Sequence, residues 1–91
     1  MKIDGYINVK INNLHLIEEG FNYGEILLYS VILSFYENSQ ECFISNEGFA
    51  KMFHTSKRNI QIWLKKLKDN KLIRYEFDDE KRYLYPTNKK E

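Results

Sequence analysis

Residues 25–36, EILLYSVILSFY, are apolar on nearly every side of a helix. A helix of that kind cannot lie on a surface, so the rest of the chain must pack around it. At this length it is too short to span a membrane. Asn22 and Glu25 stand where an N-cap and the third helical residue belong, a capping box with asparagine in the serine or threonine place. A central helix over residues 23–36 is therefore predicted. The 91 residues leave room for one core, hence one domain.

The flanking segments are short. Ile7, Val9 and Ile11 alternate with polar neighbours and predict a strand over residues 6–11, which makes residues 1–19 an N-terminal strand or arm. After a polar loop, Cys42-Phe43-Ile44 is a very short strand candidate. Ser45 can cap a second helix over 46–53, with Phe49, Ala50 and Phe53 facing inward. His54-Thr55 makes a tight break, and Ser56 caps a third helix running to about Asp69. Asn70 is suited to end it, because asparagine tolerates the left-handed conformation. Residues 74–77 and 82–85 read as two strands about the turn 78–81, Pro86 closes the second, and residues 87–91 form a tail or the start of a linker.

Two helices joined by a tight turn and followed by a β-hairpin define a helix-turn-helix with a wing. The predicted fold is mainly α with a small antiparallel sheet (α+β): three helices, a hairpin wing and an extra N-terminal strand. The winged helix-turn-helix itself is expected over residues 20–86.

A single cysteine, Cys42, allows no internal disulfide and suits a reducing compartment. With no run of 18 apolar residues and no signal-peptide pattern at the N-terminus, the expected protein is soluble and cytoplasmic, away from membranes. Its net charge of +1 hides an asymmetry. Residues 1–50 hold two lysines against seven acids, residues 51–74 hold eight Lys/Arg against Asp69 alone, and residues 75–91 hold four basic against five acidic residues. One short block thus concentrates positive charge, the footprint of a local anionic partner.

That block is the third helix. At about 100° per residue, Ile60, Trp63, Leu64 and Leu67 share a core face. Arg58, Ile62 and Lys65 lie opposite, flanked by Gln61, Asn59 and Lys66. Such a helix fits the major groove, where arginine suits guanine and asparagine or glutamine suits adenine. Arg58, Asn59, Gln61 and Ile62 are the base-reading candidates. Ser56 and Lys57 at the helix start, with Lys51, Lys65, Lys66 and Lys68, are the phosphate candidates. An ordinary amphipathic surface helix with solvated lysines would look similar; the helix-turn before it and the hairpin after it favour DNA. Ile62 has three readings: a contact to a thymine methyl, a residue of a protein interface, or a lone exposed isoleucine, which is the default.

No pattern of residues supports an enzyme. His15, His54 and Cys42 fall on separate elements without ligand spacing, and the four glycines are scattered rather than gathered in a phosphate loop. Asp78, Asp79 and Glu80 read as a solvated turn. No catalytic residue, metal or cofactor is expected.

The run FISNEGFAKMFHTSKRNIQIWLKKLKDNKLI resembles the winged-helix domain of phage and plasmid replication initiators, including the DnaD-like and RepA-like N-terminal domains. The resemblance rests on Ser45-Asn46, Phe49-Ala50, Ser56, Arg58, Ile60-Gln61, Trp63-Leu64, Leu67 and Leu72-Ile73, and extends over roughly residues 20–86. It implies a winged helix that binds double-stranded DNA sequence-specifically in replication initiation, as a homodimer or higher assembly on repeated half-sites, with other replication proteins as further partners. A transcriptional regulator of the same fold, or a protein-interaction module using Ile62 and Trp63 without DNA, are the alternatives. The chain departs from the family pattern at His54, where glycine is common, at Ile62, and at the acidic wing tip, which leaves only Lys81 and Arg82 on the wing to meet phosphates.

Overall fold

The computed structural model describes residues 16–87. The elements run α1 (Tyr23–Glu37), α2 (Asn46–Phe53), α3 (Lys57–Asp69), β1 (Ile73–Asp78) and β2 (Lys81–Pro86). Three helices and a two-stranded antiparallel sheet make a small α+β winged helix-turn-helix. The strand expected over residues 6–11, and the tail beyond Thr87, lie outside the described residues.

α1 is the axis of the core, as its composition requires. Ile26, Leu28, Val31 and Ile32 are buried and meet Phe49 and Ala50 of α2, Ile60, Leu64 and Leu67 of α3, and Ile73 and Leu84 of the hairpin. The capping box forms in full: Glu25 N–H donates to Asn22 Oδ1 at 2.8 Å, and Asn22 N–H donates to Glu25 Oε1 at 2.8 Å. Ser30, a polar residue inside the core, satisfies its hydroxyl by donating to the Ile26 carbonyl at 2.8 Å. Ser45 and Ser56 cap α2 and α3 as expected, accepting from the amides of Gly48 and Asn59 at 3.0 Å each.

All three helices end alike. Ser39, His54 and Lys71 take positive φ (58°, 56° and 64°). In each case the next amide reaches back over the last turn, Gln40 to Phe35, Thr55 to Ala50 and Leu72 to Leu67, at 2.8–2.9 Å. These are Schellman motifs, which satisfy carbonyls that the helix leaves open. None has the usual glycine. His54 takes the left-handed conformation at the turn, but Asn70 does not: its φ is −90°, and Lys71 holds the left-handed position instead. The reason is packing order. Placing Lys71 there brings Leu72 back beside Leu67, and Asn70 stays helical enough to donate its side-chain amide to the Lys66 carbonyl at 2.8 Å.

The hairpin pairs Ile73 with Pro86 through Asp78 with Lys81, and Asp79 at φ 56° makes the reversal. The short strand expected at residues 42–44 reduces to one bridge, Cys42 to Leu84, with Leu84 N–H donating to the Cys42 carbonyl at 2.9 Å. Cys42 itself is buried, and burial pushes its thiol pKa up, against the smaller opposing effects of a backbone hydrogen bond at Ile44 and the charge of Arg82. No helix among the described residues is long and apolar enough to cross a membrane.

Candidate nucleic-acid interface

α3 has one face in the core and one in solvent. Ile60, Leu64 and Leu67 are buried, which turns Arg58, Gln61, Ile62, Lys65 and Lys68 outward along a single exposed stripe. Lys57 and Asn59 extend it toward the N-terminal end. Thr55 and Ser56 hold that end in place: Asn59 donates its side-chain amide to Thr55 Oγ1 at 2.8 Å while its backbone N–H donates to Ser56 Oγ. Asn59 is thus oriented from below by the turn. Lys51 is exposed on α2, 3.9 Å from Glu47, a loose pair between exposed groups.

Two expected phosphate ligands have different surroundings. Lys65 is exposed and donates to Asp69 at 2.9 Å one turn on; that hydrogen bond holds the Asp69 carboxyl below its usual range and raises Lys65. Lys66 turns away from the stripe. Its ammonium lies 3.2 Å from Glu25, donates to the Gly20 carbonyl, and sits 4.9 Å from the centre of the Phe21 ring. Glu25 is almost wholly buried, so Lys66 is engaged in neutralising an interior carboxylate at the start of α1.

Arg82 is likewise engaged inside. It donates through Nη1 to Asn46 Oδ1 at 2.7 Å and through Nη2 to the Ile44 carbonyl at 2.8 Å, and lies over the Tyr75 ring. It ties the wing to the start of α2 rather than standing free for a phosphate. The signal was present in the strand parity: Arg82 shares its face with Leu84, which points into the core. Lys81 lies over the Phe43 ring on the opposite face. The wing tip, Asp78 to Glu80, is exposed and acidic.

Trp63 shows why α3 lies where it does. It is half-buried against α1, and a Cβ built on Gly24 would lie 2.6 Å from two atoms of its indole ring. Only glycine lets the two helices approach this closely. Among the described residues no group of three His, Cys, Asp or Glu could hold a metal ion.

A helix-turn-helix whose second helix presents a basic, amide-bearing face, backed by a hairpin, defines a winged-helix DNA-binding domain. A family model described as "Helix-turn-helix domain" matches residues 22–73, more than half of the chain, from the cap of α1 to the first residue of β1. The chain belongs to that helix-turn-helix family. No curated protein and no solved structure matches it.

Proposed function

We propose that the domain binds double-stranded DNA sequence-specifically, with α3 in the major groove. The observation that supports this best is the stripe itself: Arg58, Gln61 and Lys65 share the face of α3 opposite the core, spaced so that one groove meets all three. Arg58, Asn59, Gln61 and Ile62 are the base readers. Lys57 and Ser56 at the helix start, with Lys51, Lys65 and Lys68, take phosphates, while Lys66 stays with Glu25. The acidic tip keeps the wing from gripping the backbone. One module offers few contacts, so two copies on repeated half-sites supply the specificity. The resemblance to phage and plasmid initiators favours a role in replication initiation, with other replication proteins as partners; a transcriptional regulator would use the same face.

Selection from a random duplex library, followed by titration of the recovered site, tests this reading. A defined site should emerge, and Arg58→Ala with Lys65→Ala should weaken it at least tenfold while leaving the thermal midpoint unchanged. Recovery of no site, or equal binding by the double variant, overturns the proposal. The second outcome would favour a protein partner for the exposed Ile62, whose side chain stands 49% accessible among the charges.

A further inference from the structure

Among the described residues one side of strand β1 is unpaired, and its backbone is set to pair there. Leu84 N–H points away from β1, to the Cys42 carbonyl. Its partner Tyr75 therefore forms the non-hydrogen-bonded kind of pair, as does Ile73 opposite Pro86, which has no N–H. By alternation, the bonded pairs within the hairpin are Arg74 with Tyr85, Glu76 with Tyr83 and Asp78 with Lys81. The N–H and C=O groups of Tyr75 and Phe77 then face outward, and among the described residues no strand pairs with them. Phe77, an aromatic residue near the turn end of this strand, is 72% accessible and touches Tyr75 edge-on at 6.4 Å between ring centres.

The charges on the strand indicate what can dock. Arg74, Glu76 and Asp78 share the outer face, with Arg74 Nε 3.0 Å from Glu76 Oε2. An antiparallel partner that keeps inner residues with inner residues has few registers. Centred on Glu76 it would oppose two glutamates, on Phe77 it would bring Glu76 against Asp78, and on Arg74 it would oppose two arginines. Like charges directly opposite are destabilising. Centred on Tyr75, it sets Arg74 of each copy against Glu76 of the other, twice, and brings each Phe77 diagonal to the other copy's Tyr75.

We propose that β1 is a homodimerisation edge, two copies joining their wings antiparallel about a two-fold at Tyr75 to make one continuous four-stranded ladder. The axis runs through the sheet, so both α3 helices lie on the same side of it. The proposal rests on the DNA reading only for its purpose, and its test uses no DNA, so either can fail alone.

Sedimentation from micromolar to millimolar concentration should show a reversible monomer–dimer equilibrium. Glu76→Arg should weaken it roughly tenfold, since both cross-strand pairs become repulsive, and adding Arg74→Glu should restore it. Circular dichroism would verify that each variant is folded. Mixing separately prepared Arg74→Cys and Glu76→Cys proteins under oxidation should yield the heterodimeric disulfide, with little from either alone. A chain monomeric throughout, a dimer indifferent to Glu76→Arg, or equal cross-linking of the unmixed variants would overturn the proposal. So would a monomer with the Tyr75 and Phe77 amides protected from exchange, because the edge would then be occupied by another segment of the same chain, residues 6–11 being the natural candidate.

Discussion

Gly24 and Trp63 meet at a distance that no side chain on Gly24 could share: a Cβ there would fall 2.6 Å from Cζ2 and Cη2 of the indole. Because α1 is the axis of the core and α3 carries the basic stripe, this contact sets the depth at which the stripe's helix rides on the domain. Gly24→Ala gains helix propensity but overpacks the contact, and should lower stability by about 1–2 kcal/mol. Thermal unfolding of Gly24→Ala in the native and Trp63→Phe backgrounds checks this. The loss should shrink or reverse once the six-membered ring of the indole is gone.

Lys71 carries a strain that glycine would remove. It holds φ 64° in an exposed Schellman turn. A left-handed residue with a Cβ is disfavoured by ~1–2 kcal/mol, partly offset by the unfolded-state freedom that glycine adds. Lys71→Gly should therefore stabilise the domain by about 0.5–1 kcal/mol, raising Tm by roughly 3–6 °C. Calorimetry reads this directly, and no change in midpoint would mean that the turn is not strained.

Lys57 and Lys66 look alike in the sequence and should behave differently. Lys57→Ala should flatten the plot of log affinity against log salt by ~0.9 and leave stability within ~0.5 kcal/mol. Lys66→Ala deprives the buried Glu25 of its cation and should cost about 1–2 kcal/mol, discounted because the lysine is partly exposed. Its salt slope, measured on folded protein, should stay unchanged. Denaturant titration and DNA titration at several salt concentrations separate the two.

Ile62 is exposed on the stripe, and Ile62→Lys distinguishes its readings. The added charge should strengthen general duplex binding and steepen the salt slope by ~0.9. If the isoleucine meets a thymine methyl, preference for the selected site over random duplex should fall several-fold at the same time. Preference kept intact would make Ile62 a bystander, and loss of self-association or partner binding alone would place it at a protein interface.

Helices, caps and hairpin were legible because each is written locally. Asn22 with Glu25, Ser45 and Ser56 are start signals acting over three residues, and 3.6-residue periodicity separated the core face of α3 from its stripe without reference to any other element. His54 at the turn was legible too, since histidine visits positive φ more readily than most residues. The shift of the left-handed position from Asn70 to Lys71 was not. It depends on bringing Leu72 over Leu67, a packing preference that residue propensity does not encode.

What the sequence determined by itself is the architecture and the location of positive charge: an all-round apolar helix must be enclosed, and eight basic residues in one block must surface together. Tertiary structure alone decided which of those cations, and of the two on the wing, are free. Lys66 and Arg82 stand among basic or strand residues in the sequence, yet Glu25 lies 41 positions before one and Asn46 lies 36 positions before the other. A buried carboxylate and an open carbonyl at a helix start attract whichever cation the fold brings near. That proximity is a property of how α1, α2 and the hairpin close on one another, and no local pattern announces it.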